Sequence, residues 1–207
     1  MTQHMQDLIG EILRLQSELE AEIDKRREAF GWRLRERFVE FEDGIAAEHR
    51  RLRTSVRHFL AESSLASILT SPLIYSLIVP IALLDLWANL YQQVCFRAYG
   101  IPRVRRADHV VFDRARLAYL NWIEAANCLY CSYANGVVAF VREIASRTEQ
   151  YWCPIKHALR TTDPHRRYLG FLEYGDADGY RTRLEELRNL LREEVTPAPG
   201  EGATPKP

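Results

Sequence analysis

The chain has 207 residues, 47% of them hydrophobic, and its 28 basic and 28 acidic side chains cancel. That length can bury a sizeable core, and the balanced charge excludes a global field that would draw the molecule to nucleic acid or acidic substrates. Any electrostatic partner must therefore be read from local patches.

The first sixty residues carry a helical stripe. Leu8, Ile12, Leu15, Leu19, Ile23, Phe30, Leu34, Phe38, Phe41, Ile45, Leu52, Val56 and Phe59 follow one another in steps of three, four or seven. Acidic residues Glu18 to Asp24 precede Lys25 to Arg27, and Arg33 to Arg37 precede Glu40 to Asp43, as on a solvated face with local ion pairs. The pattern predicts a long amphipathic, coiled-coil-like helix over residues 1–62, weakened at Gly31 and Gly44, that recruits a protein partner or a second copy. Uninterrupted, it would extend roughly 80 Å.

No charged residue occurs from Ser63 to Leu84, and Asp85 is the one charge before Phe96. A bilayer crossing needs about 20 apolar residues, so 63–96 is expected to be membrane-associated, with Trp87, Tyr91 and Phe96 as interfacial aromatics. Pro72 and Pro80 interrupt it and both flanks are basic, which suits a re-entrant hairpin or interfacial anchor at the cytoplasmic face, the inner membrane in a bacterium, ahead of a single span or a buried helix pair. Arg97, Arg103, Arg105 and Arg106, in a run without acidic residues, are the expected contacts to anionic lipid head groups.

Residues 97–195 read as a small helical domain. Asp113 is placed to cap a helix running to Cys128, and Asn135-Gly136 reads as its stop. The next helix starts near Val137, and Ser146 to Glu149 fits a capping box that restarts it. Pro154 is expected in the first turn of a further helix. Thr182 to Val195 reads as an amphipathic helix with Leu184, Leu187, Leu190 and Leu191 inward, and 196–207 as a disordered tail.

Four cysteines, Cys95, Cys128, Cys131 and Cys153, are sparse, and the N-terminus lacks the pattern of a secretory signal, so the thiols are expected in a reducing compartment. Cys128 and Cys131 form a C-x2-C pair, and Cys153 and His157 would share one side of a helical turn. Three sulfurs and one imidazole suit a closed tetrahedral zinc site that staples two helical segments. Sharing one ion requires a break in the helix between them, or ligands from two copies, because an unbroken helix holds them too far apart. The Cys153 to His157 half also resembles the corresponding half of CDGSH-type iron-sulfur proteins, which implies a 2Fe-2S cluster held by three Cys and one His. That family's C-x-C start and its Asp-Gly-Ser are missing from this chain.

The fold expected is thus all-α: a long helix, an apolar membrane segment and a small domain with a metal site. The function expected is that of a membrane-associated, zinc-stapled scaffold or assembly protein, with an iron-sulfur electron carrier as the alternative. No phosphate-binding Gly-rich loop or Gly-x-Ser-x-Gly occurs, so neither nucleotide hydrolysis nor esterase chemistry is supported, and the chain is not expected to be an enzyme.

Overall fold

The structure, a computed structural model, describes residues 3–29, 32–35, 38–41 and 43–194. The described residues are mostly helical, in agreement with the all-α reading, and the expected tail 196–207 lies outside them. The chain divides into two compact units. One takes in the described residues up to Ala61 together with Asp113–Ala125; the other comprises Glu62–Phe112 and the described part of Ala126–Thr196.

In the first unit the expected single helix is not formed. Helix α1, Gln3–Ala29, is followed by an antiparallel hairpin, β1 (Trp32–Arg35) and β2 (Phe38–Phe41), in the register Trp32 opposite Phe41 and Arg35 opposite Phe38. Helices α2, Asp43–Arg51, and α3, Val56–Glu62, come after it. Two causes lie in the residues. Trp32-Arg33-Leu34-Arg35 alternates apolar and polar with a period of two, and Trp, Phe and Val fill strands better than helices. The stripe on α1 survives as an exposed face of Leu8, Ile12, Leu15, Leu19 and Ile23. Asn121 caps the later segment of this unit: its Oδ1 accepts from the backbone N–H of Ile123 and Glu124, while Glu124 Oε2 accepts from the Asn121 N–H. Asp113 caps only a short 3-10 turn, Arg114–Arg116.

The second unit is built on two long helical runs. The first comprises α4 (Leu65–Ser76), α5 (Ile78–Tyr91), a π-helical turn (Gln92–Phe96) and α6 (Arg97–Tyr99). No hairpin forms at Pro72 or Pro80, because Leu77, which joins α4 to α5, stays right-handed helical at φ −62° and ψ −16°. The run ends at Gly100, whose φ of +70° lets the Ile101 N–H reach back to the Phe96 carbonyl at 2.8 Å and close a six-residue cap.

The second run is α7, Trp122–Trp152, one helix where two or three were expected. Neither Asn135-Gly136 nor Ser146 to Glu149 breaks it: Asn135 Nδ2 donates to the Cys131 carbonyl, Ser146 Oγ to the Glu143 carbonyl and Thr148 Oγ1 to the Ile144 carbonyl. These side chains bond back along the helix instead of capping a new one. Gly136 serves another purpose. A Cβ there would lie 2.8 Å from the His109 carbonyl oxygen and from Val110 Cα, so the chain returning from α6 crosses α7 where only glycine leaves room.

The two runs point the same way, since Tyr75 packs edge-on to Tyr130 at one end and Tyr99 edge-on to Trp152 at the other. Between them sits the core: Ala88, Phe96, Ile101, Val104, Phe140, Ile144, Tyr151 and Leu191. Leu191 comes from α8, Ala177–Glu193, capped by Asp176 through Gly179 N–H. Leu187 and Leu191 face inward as expected, whereas Leu190 is exposed.

Candidate functional site

Asp85 is the sole charge on the α4–α5 run and is buried, 7% exposed. A carboxylate removed from water needs partners, and three side chains donate five hydrogen bonds to it. Arg106 Nε donates to Oδ1 and Oδ2 at 3.0 and 3.1 Å, and Nη2 donates to Oδ2 at 2.8 Å. Tyr133 on α7 adds its hydroxyl to Oδ2 at 3.0 Å, and Asn89 its amide to Oδ1 at 2.9 Å. The guanidinium also lies 5.8 Å from the Tyr133 ring centroid. Seven residues further on, Gln92 pairs with Val104, accepting from its N–H at 2.9 Å and donating to its carbonyl at 3.4 Å. The π-helical turn puts both Gln92 and Phe96 on the buried side, so one face of the run is committed to the loop and to α7.

The opposite face is apolar and open. Leu73 is 74% exposed and Trp87 70%, with Leu65, Leu69, Leu77, Val79, Leu83, Leu86 and Leu90 all at least half exposed. Residues Leu65–Tyr99 form one helix long and apolar enough to cross a membrane by length and composition, with a mean hydropathy of 2.0 in its most apolar window and none of that window buried. An exposed apolar surface of this extent is uncommon on a soluble monomer.

The four arginines expected at head groups divide. Arg106 is turned into the unit by Asp85, and Arg105 pairs with Asp108 at 3.7 Å; Arg97 and Arg103 are exposed. Arg106 is therefore an internal partner of the helix. The signal for it was present, since a lone acid inside an apolar run calls for a basic partner nearby.

The expected metal ligands are not brought together within one chain. Cys128 and Cys131 lie on α7 and Cys153 just past its end, so an unbroken helix separates Cys131 from Cys153 by roughly 33 Å. Beyond Cys153 the chain is extended: Ile155 bridges Leu172 in parallel, Lys156 N–H meets the Leu172 carbonyl at 2.7 Å, and Leu172 N–H meets the Pro154 carbonyl at 2.8 Å. Cys153 and His157 thus do not share a helical turn, and His157 stacks on Tyr168. All four cysteines are free, and burial together with the charge of Glu149 pushes the Cys153 thiol up. Among the described residues no group of three or more His, Cys, Asp or Glu side chains could hold a metal ion. Among the described residues, Cys128 and Cys131 thus stand apart from Cys153 and His157 within a single copy.

A dense cluster of charge lies elsewhere. Glu143 on α7 receives Arg147 Nε at 3.0 Å, Arg167 Nη2 at 2.7 Å and Arg166 Nη2 at 3.1 Å, while Arg167 Nη1 also pairs with Glu194 at 2.6 Å. Arg147 Nη1 donates to the Pro102 carbonyl at 2.6 Å. Burial alone would raise the Glu143 carboxyl, but the hydrogen bond and charge of Arg167, then Arg166 and Arg147, outweigh it and hold the group at about 2. The cluster joins α7, the return loop, the 3-10 turn Arg166–Gly170 and the end of α8. Scattered over fifty residues, its members have no spacing by which sequence reading could find them.

Comparison with protein-family models, curated proteins and solved structures found no match for this chain.

Proposed function

We propose that this protein is a membrane-associated helical scaffold, held at the bilayer by Leu65–Tyr99 and recruiting a protein partner through α1. The observation that carries the reading is the two-sidedness of that helix: its one acidic side chain, Asp85, is neutralised inward by Arg106, and its other face exposes a continuous run of leucine, valine and tryptophan. A buried ion pair of this kind lets a charged helix lie against lipid without presenting a charge to it. Arg97 and Arg103, exposed next to the apolar segment, suit the cytoplasmic head-group level. The stripe on α1 gives the scaffold a second, separate docking face.

The test is flotation of the full chain with vesicles of mixed neutral and anionic phospholipid, followed by washes in high salt and at alkaline pH. Protein that floats and resists both washes supports an anchor in the hydrocarbon. Protein that stays in solution without detergent, or that salt alone releases, sinks the reading.

A further inference from the structure

Between α5 and the C-terminal half of α7 runs an open groove of about 440 Å³. Leu84, Trp87 and Tyr91 line one wall, Val141, Ala145 and Trp152 the other, and the groove closes against Glu149 and Cys153. Its volume falls within the range of small-molecule sites, yet the lining offers little to orient a polar ligand. Thr148 Oγ1 donates to the Ile144 carbonyl at 2.9 Å, so the Tyr91 hydroxyl 3.1 Å away is the donor to it, and both hydroxyls are used within the chain. Glu149 is likewise held by His165 Nε2 at 2.8 Å.

We infer that this groove holds one acyl chain of a bilayer phospholipid, which extends the membrane-facing surface from α5 onto α7 as far as Trp152. The inference rests on the membrane reading above. Continuity argues for lipid as the occupant: Trp87 and Leu84 belong both to the groove wall and to the exposed apolar face that continues through Leu83, Leu86 and Leu90. An acyl chain can slide in sideways from the hydrocarbon without crossing water. A flexible apolar chain also needs no hydrogen-bond partner, which is what the lining leaves unmet.

Brominated lipid reads the contact through tryptophan emission. Two variants of the full chain are placed in vesicles of phosphatidylcholine brominated at mid-chain: one keeps Trp152 alone (Trp32→Phe, Trp87→Phe, Trp122→Phe), the other keeps Trp87 alone. Emission from both is expected to fall to a similar extent relative to unbrominated vesicles. Adding Ala145→Phe, or Ala145→Leu should the larger residue prevent folding, fills the groove; Trp152 should then recover most of its emission while Trp87 stays quenched. Quenching of Trp87 without Trp152 overturns the acyl-chain site and leaves the anchor standing. Quenching of neither removes the anchor itself. Trp152 quenched equally with the groove filled overturns the site, as does a Trp152 shielded from lipid together with a Cys153 disulfide between copies, which assigns the groove to a second copy.

Discussion

Asp85 and Arg106 meet through three hydrogen bonds, on a helix that carries no other charge between Ser63 and Phe96. Twenty-one residues apart, they clamp the loop after α6 to the middle of α5. Removing one partner leaves the other without its counter-charge, so Asp85→Ala is expected to cost about 2 to 3 kcal/mol. The double variant Asp85→Ala, Arg106→Leu should recover part of that loss. Chemical unfolding in a double-mutant cycle measures both; an additive pair would show that the contact contributes nothing of its own.

Gly136 and Gly10 give opposite answers to the same substitution. Alanine is the better helix former by about 1 kcal/mol, and at Gly10, with nothing within 4 Å of a new Cβ, Gly10→Ala should stabilise by up to that amount. At Gly136 the new methyl meets backbone at 2.8 Å, so Gly136→Ala should destabilise by about 2 kcal/mol despite the gain in propensity. Thermal melts of the two variants beside the parent decide it.

Glu143 sets an acid limit. Its folded value of about 2 lies below the ordinary 4.5, so its stabilising contribution is complete above pH 4.5 and disappears as the pH falls toward 2. The difference corresponds to about 3 kcal/mol at neutral pH. Glu143→Gln should therefore lower stability by that order at pH 7 and converge with the parent near pH 2. Parallel stability curves offset equally at all pH values would refute the electrostatic account.

Cys131 lies on α7 and Cys153 just past its end, both exposed, so neither should be needed for folding. Cys131→Ser and Cys153→Ser are each expected to change stability by less than about 0.5 kcal/mol, with added zinc leaving the melting temperature in place. A melt that rises with one equivalent of zinc in the parent and not in Cys153→Ser would instead show ligands contributed by two copies.

The features readable from the residues were those written in local pattern. The charge-free run after Ser63 and the stripe through Leu8, Ile12, Leu15 and Leu19 are matters of hydropathy and period, and both appear as helix with exposed apolar faces. The errors share one cause, which is that local signals have several uses. Asn135-Gly136 has the composition of a helix stop, but the glycine is there for a backbone crossing 26 residues earlier in the chain. Ser146 to Glu149 has a capping-box spacing, but inside a packed helix Ser146 and Thr148 bond backward. For the Cys3His set, the continuity of α7, with Val137, Phe140 and Ile144 buried along one side, keeps the two halves apart within one copy and leaves a site shared between copies as the form the reading takes. Trp32 to Arg35 is the reverse case, where a short alternation was submerged in a longer helical count.

The pairing of Gln92 with Val104 has a bearing on how this chain tolerates changes in length. Amide and peptide meet as two strands would, while Phe96 and Ile101 close the cap between them, so the eleven intervening positions are fixed in number as well as kind. One residue inserted after Gly100 would offset Val104 from Gln92 and Arg106 from Asp85 together. Leu159, 83% exposed, lies outside these pairings, and a tag or an added loop there is expected to be accepted without loosening the two long helices.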